Sequence, residues 1–277
     1  MPAPIKLSII TVNLNNARGL SKTLESVASQ TFTNYEHIII DGGSTDGSVD
    51  IIKDYERKYD GAPGHLYWVS EPDKGIYNAM NKGIKVASGE YCLFLNSGDW
   101  LVESKGLGTI FSYNPNEHIV YFNIQTQFGI WEYPPKLTLL NFIEGTIGHP
   151  ASIIKRELFE VIGNYNENQK IISDWEFFLY AIVVHKKSYR HHPYTLTFFE
   201  FGGVSLNIKN KESQIIAREA VLEELFPRII EDYTFIKKVK SELMFYQNSR
   251  LIKLTMKLIN ILNYLKRLSR FKRNHIK

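Results

Sequence analysis

The stretch from Trp68 to Leu101 constrains the fold more than any other part of the chain. Two apolar runs of strand length, Leu66 to Val69 and Tyr91 to Leu95, are each followed by a polar cluster. The clusters are Glu71-Pro72-Asp73-Lys74-Gly75 and Asn96-Ser97-Gly98-Asp99. Between the strands, Ile76, Met80, Gly83, Ile84 and Ala87 recur at helical spacing. A strand, a helix and a second strand of these lengths form a crossover between parallel strands. Both polar clusters then leave the carboxyl edge of one sheet, where open α/β sheets bind ligands.

The chain before this stretch repeats the alternation. Leu7 to Val12 reads as a strand broken by Asn13-Leu14-Asn15-Asn16, and Asn15 or Asn16 caps a helix carrying Leu20, Leu24, Val27 and Ala28 on one face. His37 to Ile40 is a second strand that ends in Asp41-Gly42-Gly43-Ser44-Thr45-Asp46, with a helix marked by Val49, Ile52, Tyr55 and Tyr59 beyond it. The expected architecture is α/β, with a mostly parallel central sheet flanked by helices. After Asp99 the pattern loosens. Strands are expected at Ile119 to Ile124, Ile130 to Tyr133, Ala151 to Ile154, Tyr189 to His192 and Leu196 to Phe199. Helices are expected at Arg156 to Ile162, at Asp174 to Lys186 behind a Ser173 cap, and at Gln214 to Leu225, the last preceded by a Gly202-Gly203-Val204-Ser205 loop.

The only cysteine, Cys92, lies inside an apolar strand, so no disulfide forms within the chain and a reducing compartment fits. The chain opens on a strand-like run without a charged-then-apolar leader, and no apolar stretch is long enough to span a bilayer. A cytoplasmic protein is expected. Its charge is uneven. Residues 235–277 hold 12 of the 33 Lys and Arg and one of the 29 acids, a net of +11, which leaves −7 on the other 234 residues.

The polar residues at the strand ends carry the chemistry. Asp41 either belongs to a glycine turn with a capped helix or accepts a hydrogen bond from a nucleobase N–H, with Thr11 and Asn13 beside it. Glu71, Asp73 and Lys74 form either a solvated charged loop or, at this edge, a diphosphate contact through the lysine. Asn96 to Asp99 suits Mg²⁺ or Mn²⁺ on a nucleotide diphosphate, because such ions keep several waters and take one or two protein carboxylates. Asp174 at a helix start either complements the helix dipole or serves as a general base. His149, in Gly148-His149-Pro150, is either a pocket residue touching acceptor or diphosphate, or a turn histidine. His191 and His192 are adjacent on a strand and face opposite ways, so they are a poor pair for one metal.

In combination these residues resemble the family 2 inverting glycosyltransferases of GT-A fold, of the type that builds bacterial surface polysaccharide. The likeness covers about residues 5–206. It rests on S-I-I-T-V-N-L-N-N from Ser8, I-I-I-D-G-G-S-T-D-G-S from Ile38, S-E-P-D-K-G-I-Y-N-A-M-N-K-G from Ser70 and G-E-Y-C-L-F-L-N-S-G-D from Gly89. S-D-W-E from Ser173 and G-G-V-S from Gly202 complete it. The resemblance implies a nucleotide-sugar site containing Thr11, Asn13, Asp41, Glu71, Asp73, Lys74 and Asn96, a metal held by Asp99, and Asp174 as catalytic base. It implies Mn²⁺ or Mg²⁺ as cofactor, a nucleotide-diphosphate sugar as donor and a saccharide or lipid-linked saccharide as acceptor. In one respect the chain departs from the family pattern: Asn96 and Gly98 stand where further aspartates are usual. Two other functions share such a sheet. A sugar-phosphate nucleotidyltransferase would need a glycine- and arginine-rich loop after the first strand, which is missing here, and a nucleotide-sugar or glycan binding module would bind without turnover.

The expected organisation is a catalytic domain over 1–206, with a nucleotide-binding half at 1–99 and an acceptor half at 100–206, and a helical basic extension over 207–277. In that extension Leu251, Leu254, Leu258, Leu262 and Leu265 fall on one stripe, with Lys253, Lys257 and Arg267 opposite. Such a helix lies on an anionic membrane, here the inner face of the cytoplasmic membrane, or packs on the catalytic domain or a second subunit in a homodimer. No nucleic-acid recognition motif is present.

Overall fold

Strands β1 (Leu7–Asn13) and β2 (Tyr35–Asp41) are buried at every residue. Continuous burial is what a parallel strand covered by helices on both faces requires. The computed structural model describes residues 4–58, 66–200 and 208–249, with 252, 254, 255, 257–259, 261 and 262 beyond them. Helix α1 (Ala17–Ala28) follows β1, and the Asn16 side chain accepts the Gly19 N–H at 3.1 Å as its N-terminal cap. Helix α2 (Ser48–Lys58) begins where Asp46 accepts the N–H and hydroxyl of Ser48. Strand β3 (Leu66–Ser70), helix α3 (Ile76–Val86) and strand β4 (Tyr91–Phe94) complete the first half.

The second half contains β5 (Trp100–Leu101), α4 (Gly106–Ser112), β6 (Ile119–Thr126), β7 (Gly129–Trp131) and α5 (Leu139–Glu144). A 3-10 turn at His149–Ala151 leads into β8 (Ser152–Lys155), α6 (Glu157–Val161), α7 (Ser173–Leu179) and β9 (Tyr189–Phe198). Among the described residues nine strands form one sheet in the order β3-β2-β1-β4-β8-β6-β9-β5, with β7 paired to β6. The first four strands are parallel. Beyond β4 the sheet is mixed, with β8 antiparallel to both neighbours and β9 parallel to β6. Helix α3 crosses β1 closely, since a Cβ on Gly83 would stand 2.5 Å from Ile10.

Three local expectations are modified. The two runs on either side of Pro193 are one strand, β9. The register with β6 shifts between Phe122 and Ile124, a bulge that passes over the residue lacking an N–H donor. Helix α7 ends as an α-helix at Leu179 and continues as a π turn over Tyr180–Val184, where the β-branched Ile182, Val183 and Val184 crowd the preceding turn. Ser173 is the first residue of α7 rather than its cap, and its hydroxyl instead accepts the Asn166 N–H.

The chain divides into two compact units, Met1–Glu219 and Ala220–Lys277. Helix α8 (Ile208–Leu225) runs across that division, and α9 (Pro227–Asn248) lies in the second unit. Helix α9 exposes Ile229, Ile236, Val239 and Leu243, and beyond it Leu254, Leu258 and Leu262 are exposed. No helix among the described residues is long and apolar enough to cross a membrane. Tyr59, the Gly202-Gly203-Val204-Ser205 loop and Leu251, Lys253, Leu265 and Arg267 of the tail stripe lie outside the described residues.

Candidate active site

Parallel register sets Asn13, Asp41 and Ser70 side by side at the carboxyl ends of β1, β2 and β3. Asn13 Nδ2 donates to Asp41 Oδ1 at 2.7 Å, and Ser70 Oγ donates to Oδ2 at 2.6 Å. The Ser44 hydroxyl and the N–H groups of Gly43 and Ser44 also donate to this carboxylate. Asp41 is fully buried. Burial alone would raise its carboxyl, but the hydrogen bonds from Ser44, Ser70 and Asn13 outweigh it and hold the pKa below the ordinary value.

A hollow of about 820 Å³ opens over this edge, a size suited to a small-molecule ligand. Its walls are the end of β1 and the turn after it, from Val12 to Asn16, Asp73 and Lys74 with the start of α3 that follows them, the turn Asn96 to Asp99, part of the loop before α7, and Phe199 and Glu200 after β9. Helix α3 is tied to the loop before α7 by Asn81, which exchanges two hydrogen bonds with the Tyr165 backbone, and by Asn78 and Asn81 donating to Glu167. The Asn96–Asp99 turn is braced by Thr23 of α1, whose hydroxyl accepts the Gly98 N–H and donates to the Asp99 carbonyl.

Asp99 is 5% exposed, and burial pushes its carboxyl up to about 8; the Glu200 N–H opposes this, and the Glu200 charge adds to it. Asn96 Oδ1 is buried without a hydrogen-bond partner. No group of three or more His, Cys, Asp or Glu side chains among the described residues is arranged to hold a metal. A buried carboxyl and an orphaned carbonyl oxygen in one turn nevertheless fit Mg²⁺ or Mn²⁺, which takes oxygen donors and relies on substrate phosphates for others.

Asp174, in the first turn of α7, reaches the hollow through Tyr77. The Tyr77 hydroxyl donates to Asp174 Oδ1 at 2.9 Å, and Tyr77 itself lines the wall. The Arg218 guanidinium lies 5.1 Å over the Trp175 ring and donates to the Gly145 carbonyl. Burial lowers the Arg218 pKa, against the opposing charges of Asp174 and Tyr77.

The predicted site residues therefore divide. Asn13, Asp73, Lys74, Asn96 and Asp99 line the hollow. Asp41 and Asp174 stand one hydrogen bond behind it, through Asn13 and Tyr77. Three residues depart from expectation. Thr11 is fully buried, with its hydroxyl paired to His37 Nε2 at 2.9 Å, because it lies on the same strand face as Asn13 but two residues short of the strand end. Glu71 points away and pairs with Lys82 at 2.7 Å. His149 is a core histidine, 6% exposed, stacked on Phe94 at 4.9 Å and hydrogen-bonded to the Tyr165 hydroxyl, and burial lowers its pKa. Sequence reasoning missed Ser70, Tyr77, Glu200 and Arg218. Tyr77 had one signal, its place within the turn after Lys74-Gly75.

The Asp99 environment sets a pH dependence. Between its unfolded value of 3.8 and about 8 the native carboxyl holds a proton that the unfolded chain lacks, so its contribution to stability falls as pH rises. His37, fully buried and pushed down to about 3, acts in the opposite sense, and comparison with an Asp99→Asn variant cancels it. In metal-free buffer Asp99→Asn should gain stability over the wild type as pH rises from about 5 to about 7, by at most ~1.4 kcal/mol per pH unit. Urea unfolding measures this, and parallel curves for the two proteins would contradict it.

Comparison with known proteins gives the family and the fold. The family model described as Glycosyl transferase family 2 matches residues 8–163. A PGL/p-HBAD biosynthesis glycosyltransferase of Mycobacterium tuberculosis is 34% identical over 223 residues, covering 76% of this chain and 83% of the relative. An uncharacterized glycosyltransferase of the same organism is 35% identical over 187 residues, covering 64% of this chain and 69% of the relative. Among solved structures, S. aureus TarS 1–349 in complex with UDP aligns with a TM-score of 0.58 and 21% identity, covering 71% of this chain and 61% of that one. The mannosyltransferase PcManGT from Pyrobaculum calidifontis, in complex with GDP-Man and Mn²⁺, aligns with a TM-score of 0.58 and 16% identity, covering 83% and 66%. The chain has the GT-A fold of these transferases and belongs to glycosyltransferase family 2.

Proposed function

We propose that this glycosyltransferase moves a sugar, with inversion, from a nucleotide-diphosphate sugar to a hydroxyl of a saccharide or lipid-linked saccharide in the assembly of a surface glycan. The observation that carries the reading is the hollow that Asp99 lines and Asp174 adjoins through Tyr77. Donor chemistry is supported by the neighbours, one bound to UDP and another to GDP-Man and Mn²⁺. A biosynthetic role is supported by the mycobacterial relative, a PGL/p-HBAD biosynthesis glycosyltransferase. Residues 1–99 form the nucleotide-binding half and 100–206 the acceptor half in this reading.

Asn13 sits at the strand edge where the nucleoside is received, and Asp41 holds its carboxamide in place. Lys74 and Lys170 line the hollow and supply positive charge toward the diphosphate. Asp99 and Asn96 would hold Mg²⁺ or Mn²⁺, which when bound neutralises charge on the diphosphate. Asp174 takes the proton of the acceptor hydroxyl, and Tyr77, bonded to its Oδ1, fixes the carboxylate. The acceptor oxygen then bonds to the anomeric carbon from the side opposite the nucleotide, the bond from that carbon to the diphosphate oxygen breaks, the nucleoside diphosphate leaves with the electron pair, and the single displacement inverts the carbon.

Asp174→Asn should retain nucleotide-sugar binding and lose transfer by about 10²–10⁴-fold. Near wild-type turnover in that variant would remove Asp174 from the base role. The acid-poor motif favours one other reading, a module that binds nucleotide sugar without turnover. Donor hydrolysis in Mn²⁺ by the wild type separates the two.

The basic tail places the enzyme on an anionic membrane surface. Supporting this are the net +11 of residues 235–277 and the exposed apolar residues of the second unit. Each cation near such a surface contributes about 1 kcal/mol. A chain shortened to end near Glu231 should lose binding to anionic liposomes, and unchanged binding would argue for packing on protein instead.

A further inference from the structure

The Asn96–Asp99 turn brings one carboxylate to a cation that the proposed function requires, and the fold brings a second from a hundred residues away. Strand β5 continues directly from this turn and pairs antiparallel with β9, Trp100 opposite Phe198 and Leu101 opposite Thr197. Continuing that register by two residues sets Glu200 opposite Gly98. The geometry agrees, because a Cβ built on Gly98 would stand 3.3 Å from Glu200 Oε2 and 3.9 Å from its Cβ. Gly98 has φ +105, so this position both demands glycine and leaves the backbone of the turn open to the Glu200 carboxylate.

Glu200 is held in that direction. Lys22 Nζ binds its other oxygen, Oε1, at 2.7 Å. Lys22 in turn lies 4.9 Å over the Trp100 ring, and Trp100 stacks on Phe198 at 4.1 Å. The brace thus spans both strands of the β5–β9 pair and turns Oε2 toward the motif. Asp99, Glu200 and Asn96 all line the same hollow, and the buried Asn96 Oδ1 has no donor. Magnesium and manganese ions take such hard oxygen donors.

We propose that Glu200 is a ligand of the divalent cation, supplying through Oε2 the acidic oxygen that the Asn96–Asp99 turn lacks. The assignment rests on the proposed nucleotide-diphosphate sugar site. It divides the metal motif between two strands, with Gly98 as the gap through which the second carboxylate enters and Lys22 as the residue that positions it.

Mn²⁺ binding to the full chain, read from the electron paramagnetic resonance signal of the free ion with UDP or GDP present, tests this. Glu200→Gln keeps the side chain's shape and an oxygen for Lys22. It should weaken Mn²⁺ binding by about tenfold or more, while nucleotide binding in metal-free buffer does not weaken, because the substitution removes a negative charge from the wall that faces the diphosphate. Glu200→Asp should fall between the two. Lys22→Met removes the brace but neither ligand and should weaken Mn²⁺ binding less than Glu200→Gln. Wild-type Mn²⁺ affinity in Glu200→Gln, with affinity lost in Asp99→Asn, overturns the role of Glu200 and leaves the cation at Asp99. A wild-type chain that binds either nucleotide but no Mn²⁺ overturns the cation itself, and one that binds neither nucleotide overturns the proposed donor site.

Discussion

The parallel pairing of β3, β2, β1 and β4 is the constraint on which the rest of the structure depends. Strands that run the same way finish at the same edge, so their buried interiors end together and their polar continuations meet. Asn13, Asp41 and Ser70 are level with one another because the register makes them so. Asn96 to Asp99 follows β4 at the same edge, tied in by the Ser97 N–H to the Val12 carbonyl. Two of the three crossover helices supply a second element of the site: α1 offers Thr23 to the Asn96–Asp99 turn, and α3 offers Tyr77 to Asp174.

Two aspartates at this edge show how environment divides one chemistry. Asp41 is buried among five donors, and its carboxylate is fixed as a structural anion. Asp99 is buried with little compensation, and its acidity is displaced to about 8. A carboxylate left in that condition is costly unless something positive joins it. The same comparison explains why Asp41 orders the site from behind while Asp99 faces the hollow. Asp174 occupies a third setting, with a tyrosine hydroxyl on one oxygen and an arginine nearby.

Much of the first half was legible in the sequence because its signals are local. Apolar runs bounded by Gly, Asn and Asp mark the strands, and Asn16 caps α1 as its residue type suggests. Misreadings arose where a residue's surroundings come from far along the chain. Thr11 reads as a polar strand end, yet its partner is His37 on the next strand. Gly148-His149-Pro150 reads as a turn, and the turn exists, but Phe94, Tyr165 and Phe178 close around the ring. Glu200 carried no local signal at all, since its meaning depends on the antiparallel partner that β5 takes. Tyr189 to His192 and Leu196 to Phe199 read as two strands, yet they are one, with a bulge between them that absorbs Pro193.

The central claim is that the strand ends, the start of α3, the Asn96–Asp99 turn and the first turn of α7 form one site for a nucleotide-diphosphate sugar. Amide hydrogen exchange of the full chain, with and without UDP- or GDP-sugar and Mn²⁺, addresses it most directly. The account predicts slowed exchange concentrated at residues 13–16, 73–79, 96–99 and 173–175, all responding to the same ligand. Slowed exchange confined to other parts of the chain, with these four segments unchanged, would contradict it.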